Sequence, residues 1–323
     1  MIPTELFDKT VLHQTYLLRR SNGITRDVVN LLIEAERDIK AQLINTDLTK
    51  YQDARLKNLL SDVKKRINTV TDDISKTILP EFKDLAVYES GHQAATLGSV
   101  VTAPIEAAAT TTLIASVTES PIQGKFFGGW MDTLNASTVA RLNQSIRIGV
   151  LEGETLNQMS ARIRSDFKTT RNAAEQLVRT GTNSVTNNAR QLLWAQNSDI
   201  VEEWEFVATL DYRTTLICQS LDGKVFPVGE GPRPPRHRNC RSTTVAVVKD
   251  PMFNETTRSS LNGQVDAKLT YPQWLKTQPA AAQKEVLGAD RYKLWKDGRL
   301  KIDQFTDKTG RTLTLKELEA KGV

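Results

Sequence analysis

Residues 209–241 read TLDYRTTLICQSLDGKVFPVGEGPRPPRHRNCR, and they hold both cysteines of the chain, Cys218 and Cys240, with one of its three histidines, His237. Pro227, Pro232, Pro234 and Pro235 and the arginines 233, 236, 238 and 241 crowd the second half of the stretch. Consecutive prolines fix φ and remove backbone donors, so 232–236 reads as a stiff extended connector that delivers His237 and Cys240 to one place. Leu221-Asp222-Gly223-Lys224 follows Cys218 and reads as a chain reversal between strands. The expected product is a small knot that brings Cys218, His237 and Cys240 together, with Asp211 or Asp222 near by.

Three readings of that knot stay open. As a metal site, Cys-x18-His-x2-Cys offers two thiolates and one imidazole, three of the four ligands of a structural zinc, and Asp211, Asp222 or water would supply the fourth. As a redox pair, the cysteines would form one disulfide. As packing groups, they are small buried hydrophobes beside a hydrogen-bonded loop histidine. Catalytic readings fit less well. A zinc deaminase needs His-x-Glu before its Pro-Cys-x-x-Cys, whereas Arg238, Asn239 and Cys240 follow His237 here. A cysteine nucleophile needs a histidine free to swing toward it, which the proline connector does not promise.

Outward from the knot, Trp204, Phe206, Ala208 and Leu210 alternate as a half-buried strand entering it, and 243–248 reads as an antiparallel strand leaving it. An Asp211–Arg213 pair is expected to lock the strand end. Upstream, apolar residues at helical spacing mark helices over 24–45, with Thr25 as N-cap, and 51–79, which Pro80 is expected to end or kink. This helix pair is either the core of a bundle or an arm that docks on a larger assembly. Residues 94–118 shift to Ala, Thr, Val and Ser. Their length suits a membrane span, but Pro104, Glu106 and the threonines argue for a helix-break-helix or a linker. Further helices follow over 139–150, from the Thr155–Gln158 capping box through Phe167, and over 171–197, with Gly181 an unfavourable interruption. Along 162–179, Arg162, Arg164, Lys168, Arg171 and Arg179 read as a solvated face or as a DNA track without aromatics to stack on bases. Near the end, Thr270–Gln273 and Thr314–Glu317 are capping boxes of short helices.

With 323 residues, 39% hydrophobic and 25% charged, the chain can bury sizeable cores. A net charge of +5 permits contact with nucleic acid without demanding it. Residues 1–8 lack the basic and apolar regions of a secretory signal, and two cysteines in so long a chain suit a reducing compartment. Phosphate loops, HExxH pairs and G-x-S-x-G elbows are missing. The fold is therefore expected to be mainly α with a small antiparallel sheet (α+β). The expected division is a helical arm (1–93), a linker (94–129), a central α+β module (130–250) and a C-terminal unit (251–323).

Asp211-x-Arg213-Thr214, Cys218, Asp222-Gly223 and Pro235-x-His237-x-Asn239-Cys240-Arg241 together resemble the signature of the phage head-morphogenesis family, the Mu F-like minor head proteins of tailed phages. The resemblance extends to Pro121-x-x-Gly124, Trp130, Gly149-x-x-x-Gly153-x-Thr155, Arg179-Thr180, Asn187-x-Ala189-Arg190 and Tyr271-Pro272-x-Trp274-Leu275. Gly181 stands where the family often has Glu, and Ser242 where it often has a further Cys. The resemblance implies a structural, non-enzymatic head protein of the virion, at the portal vertex after assembly in the host cytoplasm. The portal protein would be its partner, with the major capsid protein and packaged DNA as further contacts and no membrane in the assembled state. The motif residues would hold the module's shape, with no cofactor or with a structural zinc. The rival readings are an internal DNA-binding or ejection protein and a metal-dependent nuclease built on His237 and Asn239.

Overall fold

The computed structural model describes residues 2–46, 53–249, 257–266, 268–307 and 309–320. In chain order, helices α1 (Thr4–Asn45), α2 (Asp53–Gly98), α3 (Thr110–Glu119), α4 (Phe127–Leu151) and α5 (Leu156–Gln196) precede the strand β1 (Val201–Val207). Helix α6 (Leu216–Leu221), β2 (Val225–Pro227) and β3 (Thr243–Val248) follow, then the hairpin β4 (Thr257–Ser260) and β5 (Gly263–Asp266). Short helices α7 (Tyr271–Thr277), α8 (Ala280–Leu287), α9 (Ala289–Lys296) and α10 (Leu315–Glu319) complete the chain, with a 3-10 turn at Ile302–Phe305. The fold is mainly α with small antiparallel sheets, as the sequence suggests.

Two compact units form, each from separated segments, because α1, α2, α3 and α5 contribute residues to both. Their boundaries do not coincide with the sequence-ordered division at 93, 129 and 250.

One unit, 18–85 with 114–182, is a helical bundle. The stripes Val28, Leu32, Ala35, Ile39, Leu43 on α1 and Val63, Ile67, Val70, Ile74, Ile78 on α2 are buried in it, with Leu142 and Ile146 of α4 and Ile163 and Phe167 of α5. The apolar stripe of the first two helices thus serves an internal core. Polar cross-links tie neighbouring helices: Arg66 to Asp38 at 2.8 Å, Arg171 to Glu36 at 2.7 Å and Thr138 to Thr170 at 3.1 Å. Helix α2 continues past Pro80, which therefore does not end it. Proline inside a helix costs about 3 kcal/mol, but Ile78, Phe82 and Leu85 around it are fully buried, and that burial outweighs the lost hydrogen bond. Helix α5 is likewise unbroken at Gly181, where a Cβ would strike the Phe82 ring; glycine here serves close packing.

The other unit, 2–17 with 86–113 and 183–320, holds the sheet and the knot. Strand β1 lies between β2 and β3, both antiparallel to it. Trp204 and Phe206 of β1, Val245, Ala246 and Val248 of β3, and Trp194 of α5 share one apolar core with both cysteines. A second core gathers Leu210, after β1, with Tyr271, Trp274, Leu287 and Leu318 of the C-terminal helices and Phe305 of the 3-10 turn. The three capping boxes form as read: Thr155 with Gln158, Thr270 with Gln273 and Thr314 with Glu317. Residues 99–109 break the helices on either side, which matches the helix-break-helix reading. Among the described residues no helix is long and apolar enough to cross a membrane.

Candidate functional site

Helix α6 rises from the loop after β1 and carries Cys218 into the core, 1% exposed. The chain then turns at Asp222-Gly223, forms β2, and returns along the proline connector, whose Pro234–Pro235 bond is cis. The Asp222-Gly223 turn ends a helix, so the expected strand-to-strand reversal is corrected. Leu216–Leu221 has already turned the chain, and Gly223 (φ 76°) only redirects it into β2 while its N–H binds the Phe206 carbonyl at 2.8 Å. A second tight turn runs from His237 to Cys240, closed by Cys240 N–H on the His237 carbonyl at 3.2 Å. Asn239 takes φ 57° in it, the left-handed conformation that asparagine tolerates better than most side chains.

These turns bring Cys218, His237 and Cys240 together. Their ligand atoms lie within 4.8 Å of one another, and the two Sγ atoms are 3.7 Å apart. His237 Nδ1 lies 2.9 Å from the Arg238 carbonyl, which leaves Nε2 for the sulfur side. Hydrogen bonding with Cys240 and burial raise the Cys218 thiol well above its usual range. The hydrogen bond from Cys218 draws Cys240 down, with help from His237 and against burial. Burial works against charge on His237, yet hydrogen bonding to Cys240 and its charge outweigh burial and raise the imidazolium pKa.

Asp211 stands outside this cluster. Both its oxygens engage the Arg241 guanidinium, one of them at 2.8 Å, and Oδ1 also accepts from Arg213 N–H and the Thr214 hydroxyl. Burial would raise its pKa, but the Arg241 bonds hold it below the usual carboxylate range. Asp211 as a fourth ligand is therefore corrected: its lone pairs serve Arg241. The loop-locking arginine is also Arg241 and not Arg213, whose side chain is exposed. Thr214 bonds the Thr209 carbonyl through its hydroxyl, and its own carbonyl accepts from Gln219 at 2.7 Å.

Asp222 is likewise committed to protein donors. Its buried carboxylate takes a bidentate pair from Arg258 at 2.8 and 2.9 Å and accepts from Ala208 N–H at 2.7 Å and Tyr271 N–H at 2.6 Å. One carboxylate thereby ties the end of β1, the hairpin and the start of α7. Arg258 carries no signal in the sequence that sets it apart from a surface arginine.

Helix α5 clamps the knot from beneath with three side chains on one face. Asn183 donates to the Cys240 and Ser242 carbonyls at 3.0 and 2.9 Å, and Asn187 Oδ1 accepts from the Thr244 hydroxyl at 2.8 Å. Arg190 binds the Thr243 hydroxyl, the Thr244 carbonyl at 3.0 Å and Glu89 at 2.6 Å. Glu89 and Arg190 are fully buried, and His13 reaches the other Glu89 oxygen at 2.6 Å. Burial penalises the Glu89 charge, but Arg190 and His13 dominate and hold its pKa at about 2. The Asn187-x-Ala189-Arg190 motif thus locks β3 onto α5. Glu89 and His13 were not legible as its partners because they lie about a hundred residues or more upstream.

Residues 140–245 match the family model described as Phage Mu protein F like protein. The chain carries a Mu F-like module. The match agrees with the resemblance of the motifs to the phage head-morphogenesis family, and the α5 clamp, the sheet and the knot fall almost entirely inside it. No curated protein and no solved structure matches the chain.

Proposed function

We propose that this protein is a structural minor head protein of a tailed phage, associated with the portal vertex and acting in capsid assembly and in DNA packaging or delivery. The observation that carries this reading is the Mu F-like match over a module whose motif residues serve the framework. Asp211, Asp222, Asn187 and Arg190 each spend their polar atoms on buried cross-links, which suits a part that keeps its shape under load. The portal protein is the proposed partner, with the capsid lattice and packaged DNA as secondary contacts. The basic stretch of α5 supports a DNA track poorly, because Arg162 pairs with Glu154, Arg171 with Glu36 and Arg179 with Glu175. A nuclease centred on His237 and Asn239 has no second histidine near by: His13 and His92 stack on each other around Glu89.

Co-expression with the portal protein of the same phage, followed by native mass spectrometry, tests the reading. A complex of fixed stoichiometry on the portal ring is expected. Portal rings that emerge bare, with this chain bound instead to duplex DNA in a steeply salt-dependent way, would replace it with the DNA-binding alternative.

A further inference from the structure

We propose that Cys218, His237 and Cys240 bind one zinc ion through three protein ligands, with the fourth coordination position open to the cavity beside them. The inference stands on the geometry of the knot and is independent of the head role.

Zinc bound to two thiolates has Zn–S bonds of about 2.3 Å, and a tetrahedral angle between them separates the sulfurs by about 3.8 Å. The Cys218 and Cys240 sulfurs stand 3.7 Å apart, and the three ligand atoms span at most 4.8 Å. Closing the imidazole onto an ion therefore asks for a movement of about 1 Å. One imidazole nitrogen, Nδ1, also lies against a backbone carbonyl, that of Arg238, as in a zinc-bound histidine whose other nitrogen holds the ion. Protein hydrogen bonds build the frame around the ligands. Asn183 fixes the Cys240 carbonyl, the 237–240 turn sets the spacing of two ligands, and the Asp211–Arg241 pair with the Thr209–Arg241 hydrogen bond closes the loop. Two sulfurs and one imidazole nitrogen form a soft set that favours zinc over magnesium or calcium.

Among the described residues the cluster has three members, and Asp211 is committed to Arg241. A cavity of about 190 Å³ adjoins the site, lined by Cys218, His237, Arg213, Arg238, Arg241 and Ser242. Three ligands and an accessible face correspond to a zinc that keeps water or an exogenous oxygen in its fourth position. The arginines bias that position toward an anion. On binding, Zn²⁺ takes two thiolates and a neutral imidazole, and each thiol gives its proton to solvent, so affinity falls on acidification. Ser242 lines the same cavity beside Cys218, so a thiol placed there would be offered to the fourth position.

The test is the full-length chain expressed in zinc-supplemented medium and purified under reducing conditions without chelator. Elemental analysis is expected to find about one zinc per chain, and reconstitution with cobalt to give thiolate charge-transfer and tetrahedral d–d bands. His237→Ala keeps both thiols, so its circular dichroism should match the parent while zinc is lost to a competing chelator at least about tenfold more readily. Azide added to the cobalt form should shift the d–d bands, and Ser242→Cys should abolish that shift by filling the fourth position. Zinc below about a tenth of an equivalent, with the thiols free or joined as a disulfide, overturns the site. So does a His237→Ala variant that holds zinc as tightly as the parent. Cobalt bands indifferent to azide overturn the open position.

Discussion

The helical bundle of 18–85 and 114–182 and the knot at 209–241 are stabilised by opposite means. In the bundle, long apolar stripes vanish into the core and the cited ion pairs keep some contact with solvent, from Arg171–Glu36, 22% and 12% exposed, to Arg66–Asp38, whose aspartate is 51% exposed. In the unit that holds the knot, ion pairs also enter the interior beside the apolar cores: Arg190 and Glu89 are fully buried, and Arg258 and Asp222 nearly so. Apolar packing is tolerant of exchange, whereas a buried ion pair demands its partner. The difference suggests a division in which the bundle supplies bulk stability and the knot supplies one fixed shape.

That contrast can be broken in four places. The largest effect is expected from Arg190→Ala, which strands the Glu89 charge and should cost about 3–5 kcal/mol in chemical denaturation. A cost below about 1 kcal/mol would show that the buried network is not a framework. Next comes Ile74→Ala in the bundle, where loss of a fully buried side chain should cost about 2–4 kcal/mol with no change in the knot. Smaller and dependent on pH is Glu205→Gln in β1. Burial, reinforced by Asp222, raises the Glu205 carboxyl to about 7. Its neutral form suits the folded state, so its contribution is complete below the ordinary carboxylate range and is lost as pH rises through about 7. The variant should therefore melt higher than the parent at pH 8 and level with it at pH 4. Equal melting at both would place Glu205 in solvent. The smallest effect belongs to Arg66→Ala on the bundle surface, under about 1 kcal/mol and screened by salt.

What the sequence discloses follows the same division. The apolar stripes and the three capping boxes are local patterns and appear where they were read, while β1 holds Trp204 and Phe206 but ends at Val207, before Ala208 and Leu210. The extent of the helices was harder to see, since Pro80 and Gly181 carry helix-breaking signals that Phe82 packing overrides. Helix α6 and strand β2 are too short for a period to register, and the β4–β5 hairpin lacks apolar alternation. The convergence of Cys218, His237 and Cys240 was legible because stiff prolines and tight turns leave the chain few alternatives. The partners of Asp211 and Asp222 were not legible. A buried arginine is written with the same letter as an exposed one, and only the fold places Arg241 and Arg258 opposite those carboxylates.

The head role is the claim on which the functional account turns, and quantitative mass spectrometry of purified particles tests it most directly, with copy number scaled to the portal protein. The account predicts that the chain is present in every particle at a few to about a dozen copies, as fits attachment to a ring of portal subunits. Its absence from finished particles, or its presence in hundreds of copies as a lattice component, would contradict it.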